Sequence, residues 1–102
     1  MNVKIINQIT EEKLKKYLSI TERALKGIKI KKDISIENKK KAEDMLDMAS
    51  RYFSDANFYY KEKNDYVTSF ASVNYAHAWL DSCARLGFLD IDDDVREFFV
   101  VD

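Results

Sequence analysis

Proline is absent from this chain, and glycine occurs only as Gly27 and Gly87. A chain so poor in the residues that break helices and build hairpin turns is a weak candidate for a β fold. The single cysteine, Cys83, rules out an intramolecular disulfide framework and reads as a small buried hydrophobe. No stretch reaches the ~18 to 20 apolar residues that span a bilayer, so the reading has no membrane-embedded part. The opening Met-Asn-Val-Lys-Ile-Ile-Asn-Gln lacks the apolar core of a secretory signal, and the expected location is the cytoplasm. Two isolated glycines cannot form a phosphate-binding loop or a nucleophile elbow.

What is present is one domain's worth of chain. The 102 residues, 46% of them apolar, can enclose a single modest core, so residues 1–102 are expected to fold as one unit. The formal net charge of −1 hides a division. Lys13 to Lys41 holds 11 Lys/Arg against 3 Asp/Glu, and Ala42 to Asp102 holds 5 against 13. Such asymmetry marks either a basic docking surface or two solvated faces of opposite sign. The lysines are not interleaved with aromatics, which argues against nucleic acid as the partner of the lysine-rich stretch from Lys26 to Lys41.

Periodicity places three helices. Thr10 is a plausible N-cap with Glu11 and Glu12 behind it, and Leu14, Tyr17, Leu18, Thr21, Ala24, Leu25 and Ile28 form one stripe, ending near Gly27 to Ile30. After a connection from Lys31 to Ser35, Ser35 caps a longer helix. Its apolar side carries Ala42, Met45, Leu46, Ala49, Tyr52, Phe53, Ala56 and Tyr60, with Phe58 standing among the polar residues opposite. A polar turn from Lys61 to Asp65 leads to a third helix, Tyr66 to Leu86, closed by Gly87 in a left-handed conformation. Here Phe70, Asn74, His77, Asp81 and Ala84 line one side, and Thr68, Ser72, Tyr75, Trp79, Cys83 and Leu86 the other. Large groups on both sides predict a central helix flanked by the other two. The fold expected is all-α, an up-and-down antiparallel three-helix bundle, and Leu89 to Asp102 forms a short turn and a tail folded back over it.

Few constellations could carry chemistry. Asn74, His77 and Asp81 lie on adjacent turns of one face, where His77 and Asp81 could share a proton or orient a ligand, with Tyr52 and Asp55 as facing groups. The structural alternative is that these groups satisfy one another within a helix interface and set its register. One histidine is too little for a zinc site built with Asp81 and Asp55. Asp90, Asp92 and Asp94 mimic the first positions of a calcium loop, but Val95 occupies the glycine position and Val101 that of the bidentate glutamate, so neither metal nor cofactor is expected. The hairpin from Lys41 to Gly87 is a single tetratricopeptide-like helix pair, and one unit does not make a solenoid.

The run Ser72-Val73-Asn74-Tyr75-Ala76-His77-Ala78-Trp79-Leu80-Asp81, followed by Ala84-Arg85-Leu86-Gly87, resembles the signature of an uncharacterised archaeal family, domain of unknown function 357. The likeness reaches back through Ala49, Tyr52, Asp55, Ala56 and Phe58 to Lys61, Asn64 and Asp65, with Ala78 where that pattern has glycine. It covers about Ala42 to Asp90 and, more loosely, the first helix. The resemblance implies an archaeal, cytosolic helical bundle and no reaction. A second comparison, with helical nucleases carrying arginine four to six residues before a histidine, fails, since Val73, Ser72 and Ala71 stand there.

The expected role is therefore a non-catalytic module that docks another protein or itself, as a homodimer, through surplus aromatics: Phe58, Tyr59, Phe98 and Phe99. Two rivals are a small-molecule-binding protein or enzyme built on Asn74, His77, Asp81, Tyr52 and Asp55, and nucleic-acid binding through Lys26 to Lys41.

Overall fold

A computed structural model of the chain describes residues 2–99. Three long helices, α1 (Glu11–Lys26), α2 (Ile36–Glu62) and α3 (Tyr66–Arg85), are joined by two short strands, β1 (Ile28–Ile30) and β2 (Leu89–Ile91), and followed by a 3-10 helix (Asp93–Phe98). Val100, Val101 and Asp102 of the expected tail lie outside the described residues.

The predicted caps form. The Thr10 hydroxyl accepts the Lys13 N–H at 3.1 Å, and Ser35 Oγ accepts that of Asn38 at 3.0 Å, each meeting one of the donors that a helix start leaves open. Gly87 closes α3 at φ +79°, and Asn64 takes φ +50° in the turn between α2 and α3. Gly27 is used differently. Its φ of −99° suits any residue, but a β-carbon there would overlap the Val95 side chain, so glycine is needed for close approach of the 3-10 helix.

The all-α expectation is corrected by the sheet. β1 and β2 pair antiparallel with Ile28 opposite Ile91, Lys29 opposite Asp90 and Ile30 opposite Leu89. The ladder is extended by Lys31 N–H to Phe88 O at 2.9 Å and Asp92 N–H to Gly27 O at 2.8 Å. Ile28 thus leaves the helical stripe for a strand. Each strand turns its isoleucine and leucine side chains inward and its central charged residue outward. Because Lys29 faces Asp90, and Asp92 and Asp94 share a hollow with Arg23 and Lys26, the acidic C-terminal run lies against the basic segment.

Apolar groups gather at both ends of the helices. Near the sheet, Ala24, Ala42, Ala49, Leu80, Cys83, Phe88, Leu89, Val95 and Phe99 form one cluster; toward the α2–α3 turn, Leu14, Leu18, Ala56 and Val73 form another. Ala42, Ala49 and Ala56 recur every seven residues, so α2 offers α3 a line of small side chains and the two approach closely. Ser69, fully buried, donates its hydroxyl to Ala56 O at 2.7 Å across that seam. α3 packs against both other helices, as its composition predicts, but its inward stripe is Ser69, Val73, Ala76, Leu80, Cys83 and Ala84. Tyr75 and Leu86, expected to be covered by a flanking helix, are exposed.

Candidate functional site

α3 is entered through Asp65, whose carboxylate accepts the Thr68 hydroxyl at 2.6 Å and the Thr68 backbone N–H at 3.0 Å. Those bonds, the hydroxyl's first, hold the Asp65 carboxyl below the usual carboxylate range. The phase set there turns Phe70 and His77 toward α1. Tyr17 meets Phe70 edge-on with ring centroids 5.0 Å apart, and Thr21 meets His77.

His77 has both ring nitrogens engaged. Nε2 lies 2.6 Å from the Phe98 carbonyl oxygen, which can only accept, so Nε2 carries the proton and donates it. Nδ1, 3.0 Å from Thr21 Oγ1, is then the acceptor for the hydroxyl of a buried threonine. The ring also sits 6.0 Å from that of Phe99. The histidine thereby ties α1, α3 and the 3-10 helix together. Asp81 Oδ1 stands 3.9 Å from Nε2, beyond hydrogen-bond distance, and the Nε2 proton is directed to Phe98 instead.

Asn74, His77 and Asp81 do line a common groove of about 250 Å³ with Tyr17, Ile20 and Thr21. Tyr52 and Asp55 are not among its lining residues. Tyr52 stacks on Tyr75 at 5.3 Å, and Asp55 is exposed on α2. The groove can accept a small group between α1 and α3, but neither ring nitrogen of His77 is left to act as base or ligand. A larger hollow, about 520 Å³, lies at the far end of β2, where Lys31, Arg85 and Arg96 surround Gly87 and Asp90. Its cations already have internal partners: Arg96 reaches Ile91 O at 3.4 Å and Asp93 at 3.8 Å, and Arg85 is likewise engaged.

Of the four aromatics expected to dock a partner, Phe99 is buried in the core, which removes it from any open surface in this structure. Phe98 is half-buried beneath the Arg23 guanidinium, 4.9 Å from its ring centre. Tyr59 is half-buried; Phe58 is exposed, edge-on to Tyr59 and beneath Lys63. The more extensive apolar surface is the outer face of α3. Val67, Tyr75 and Leu86 are 68%, 61% and 59% exposed there, with Ala71 and Ala78 between them. The sequence carried a signal for it, since α3 has only Asp81 and Arg85 as formal charges in 20 residues, far fewer than a helix with a solvated side normally holds. Ala78, at the glycine position of the resemblance, belongs to this outer face, so its methyl group does not bear on packing inside the bundle.

The sequence profile of the family described as protein of unknown function (DUF357) matches residues 16–89. The chain belongs to this family. The DUF357 match runs from α1 through the first residue of β2, further toward the N-terminus than the motif around His77, and so includes Thr21, Asn74, His77 and Asp81. Phe98, which accepts the Nε2 proton, lies beyond it. No curated protein and no solved structure matches the chain.

Proposed function

We propose that this DUF357 chain is a non-catalytic helical module that docks another protein through the outer face of α3. The observation that carries the reading is that α3, apolar nearly all round, is covered by its own chain on one side only, leaving Val67, Tyr75 and Leu86 open. The engagement of both His77 nitrogens supports a structural use of the polar cluster over a catalytic one. Juxtaposition of the acidic and basic segments weighs against a nucleic-acid surface, since the phosphate backbone would meet both signs.

An up-and-down arrangement is part of the proposal. The pairs Tyr17–Phe70 and Thr21–His77 support α1 and α3 running the same way, and Ser69–Ala56 and Tyr75–Tyr52 support α2 running opposite. An archaeal, cytoplasmic setting belongs to it too, supported by the family resemblance and by a free cysteine suited to a reducing compartment. Among the described residues no helix is long and apolar enough to cross a membrane.

The test places a photo-reactive amino acid at position 75 in the protein expressed in its own organism. One adduct of defined mass, identified by mass spectrometry and lost on Leu86→Lys, is the expected result. Leu86→Lys itself should leave the thermal midpoint within a few degrees, because its side chain is largely solvated. Absence of any adduct, or unfolding by Leu86→Lys, would overturn the reading.

A further inference from the structure

We infer that the occupant of the α3 outer face is a second copy of this chain, its α3 packed antiparallel about a two-fold axis that passes between Ala76 and His77. The inference deepens the docking reading and rests on it. At 100° per residue, Val67, Ala71, Tyr75, Ala78, Ser82 and Leu86 share one strip of α3. Their spacings of four, four, three, four and four read the same in both directions, which is what an isologous contact requires.

In that register Val67 meets the second copy's Leu86, Ala71 meets its Ser82, and Tyr75 meets its Ala78. Apolar groups close each end, small residues allow the helices to approach, and each tyrosine ring has a methyl-sized hollow to enter. No charged residue falls on the strip, so pairing desolvates none there. Along the flank next to α1, Asn74, exposed on the groove rim, comes opposite the second copy's Asp81. A carboxylate has acceptor sites for several donors, so the Asn74 amide can donate to it alongside any bond Asp81 makes within its own chain, and the symmetry supplies this contact twice. The parallel alternative superposes Tyr75 on Tyr75 and Val67 on Val67, and aligns the two helix dipoles unfavourably.

The area is adequate for a reversible dimer. A 20-residue helix offers a strip ~30 Å long, and two such strips together bury on the order of 1,000 Å², the lower range of specific interfaces, which corresponds to dissociation in the micromolar range. The outer face of the lone chain is then the interface of the pair, and Asn74 and Asp81, two of the three groups in the polar cluster, are contact residues.

Mixing singly substituted proteins tests the register. Val67→Cys and Leu86→Cys proteins, each carrying Cys83→Ala and held at ~100 μM, are oxidised alone and together. Antiparallel pairing places position 67 of one copy beside 86 of the other but ~28 Å from its own equivalent, beyond the ~7 Å that a disulfide bridges. The expected result is a covalent heterodimer in the mixture and none from either protein alone, with Tyr75→Lys shifting the sedimentation of the otherwise native chain from dimer to monomer. Efficient homodimer cross-linking by either single protein would overturn the antiparallel register. A native chain that sediments as a monomer at ~1 mM would overturn self-pairing, yet would leave the docking reading standing if the adduct at position 75 formed with a different protein. Unfolding by Leu86→Lys would instead remove the docking reading and this inference together.

Discussion

Replacing Gly27 by alanine should destabilise the protein, although the backbone there would welcome the change. At φ −99° alanine pays no conformational penalty, and loss of glycine's freedom in the unfolded chain alone would add about 0.4–1 kcal/mol of stability. The opposing effect is steric. The new methyl group would overlap Val95 Cγ2 and stand 3.1 Å from Cγ1 and 3.3 Å from Cβ, so rotating the valine does not clear it. Val95 is 4% exposed, β-branched and anchored by its N–H to Asp92 O at 3.1 Å, which leaves displacement of the 3-10 helix as the remaining relief. Overpacking of this kind costs about 1–3 kcal/mol, enough to exceed the entropic gain over most of that range. For a domain of this size the net loss corresponds to a fall in Tm of roughly 5–15 °C. Thermal unfolding followed by circular dichroism measures it, and a double-mutant cycle identifies its source. Val95→Ala alone loses buried methyl groups, but in its presence Gly27→Ala should turn neutral or stabilising, a coupling of about 1–3 kcal/mol. A Gly27→Ala protein as stable as the parent would refute the steric argument. Gly87→Ala serves as the control: nothing lies within 4 Å, so its loss of about 1 kcal/mol comes from φ +79° alone and Val95→Ala should not rescue it.

Three further outcomes are expected. His77→Ala strands the buried Thr21 hydroxyl and frees the Phe98 carbonyl, costing about 1–3 kcal/mol; hydrogen exchange should quicken at Val95 and Phe99, and unchanged protection there would contradict the tie. Glu11 accepts Tyr60 OH at 2.8 Å and Tyr66 OH at 3.1 Å, and these bonds, Tyr60's first, with Lys15 nearby, hold its carboxyl below the ordinary value of 4.5. A depressed carboxyl contributes stability above its unfolded pKa and loses it as pH falls through the folded value, so Glu11→Gln should flatten the decline in Tm on acidification below that point; an identical slope would count against the contact. Cys83 is fully buried, and desolvation pushes its thiol up to about 11, so alkylation at neutral pH should occur only in step with global unfolding, and rapid labelling of the native protein would disprove its burial.

The helices and their caps were legible because their determinants are local. Thr10, Ser35 and Asp65 act within three residues of themselves, and the spacing of Leu14, Leu18, Thr21 and Ala24 reports a buried face wherever the partner comes from. The sheet was not legible. Ile28 fits the helical stripe as well as a strand, and its pairing with Ile91 spans the whole of α2 and α3 without a hairpin turn to announce it. His77 and Asp81 at i and i+4 suggested a proton shared along one helix, but the carbonyl that takes the His77 proton comes from Phe98, 21 residues on, where no side-chain motif marks it.

From its sequence alone, then, the chain determines three capped amphipathic segments, a nearly charge-free third helix and one candidate polar cluster, because propensity, capping and periodicity operate within a few residues. Tertiary structure decided which side of α3 is covered, brought Lys29 against Asp90, and turned His77 from a candidate acid–base group into a tie among α1, α3 and the 3-10 helix. Those outcomes depend on which distant backbone atoms and side chains arrive at the same place, and only the packed chain sets that.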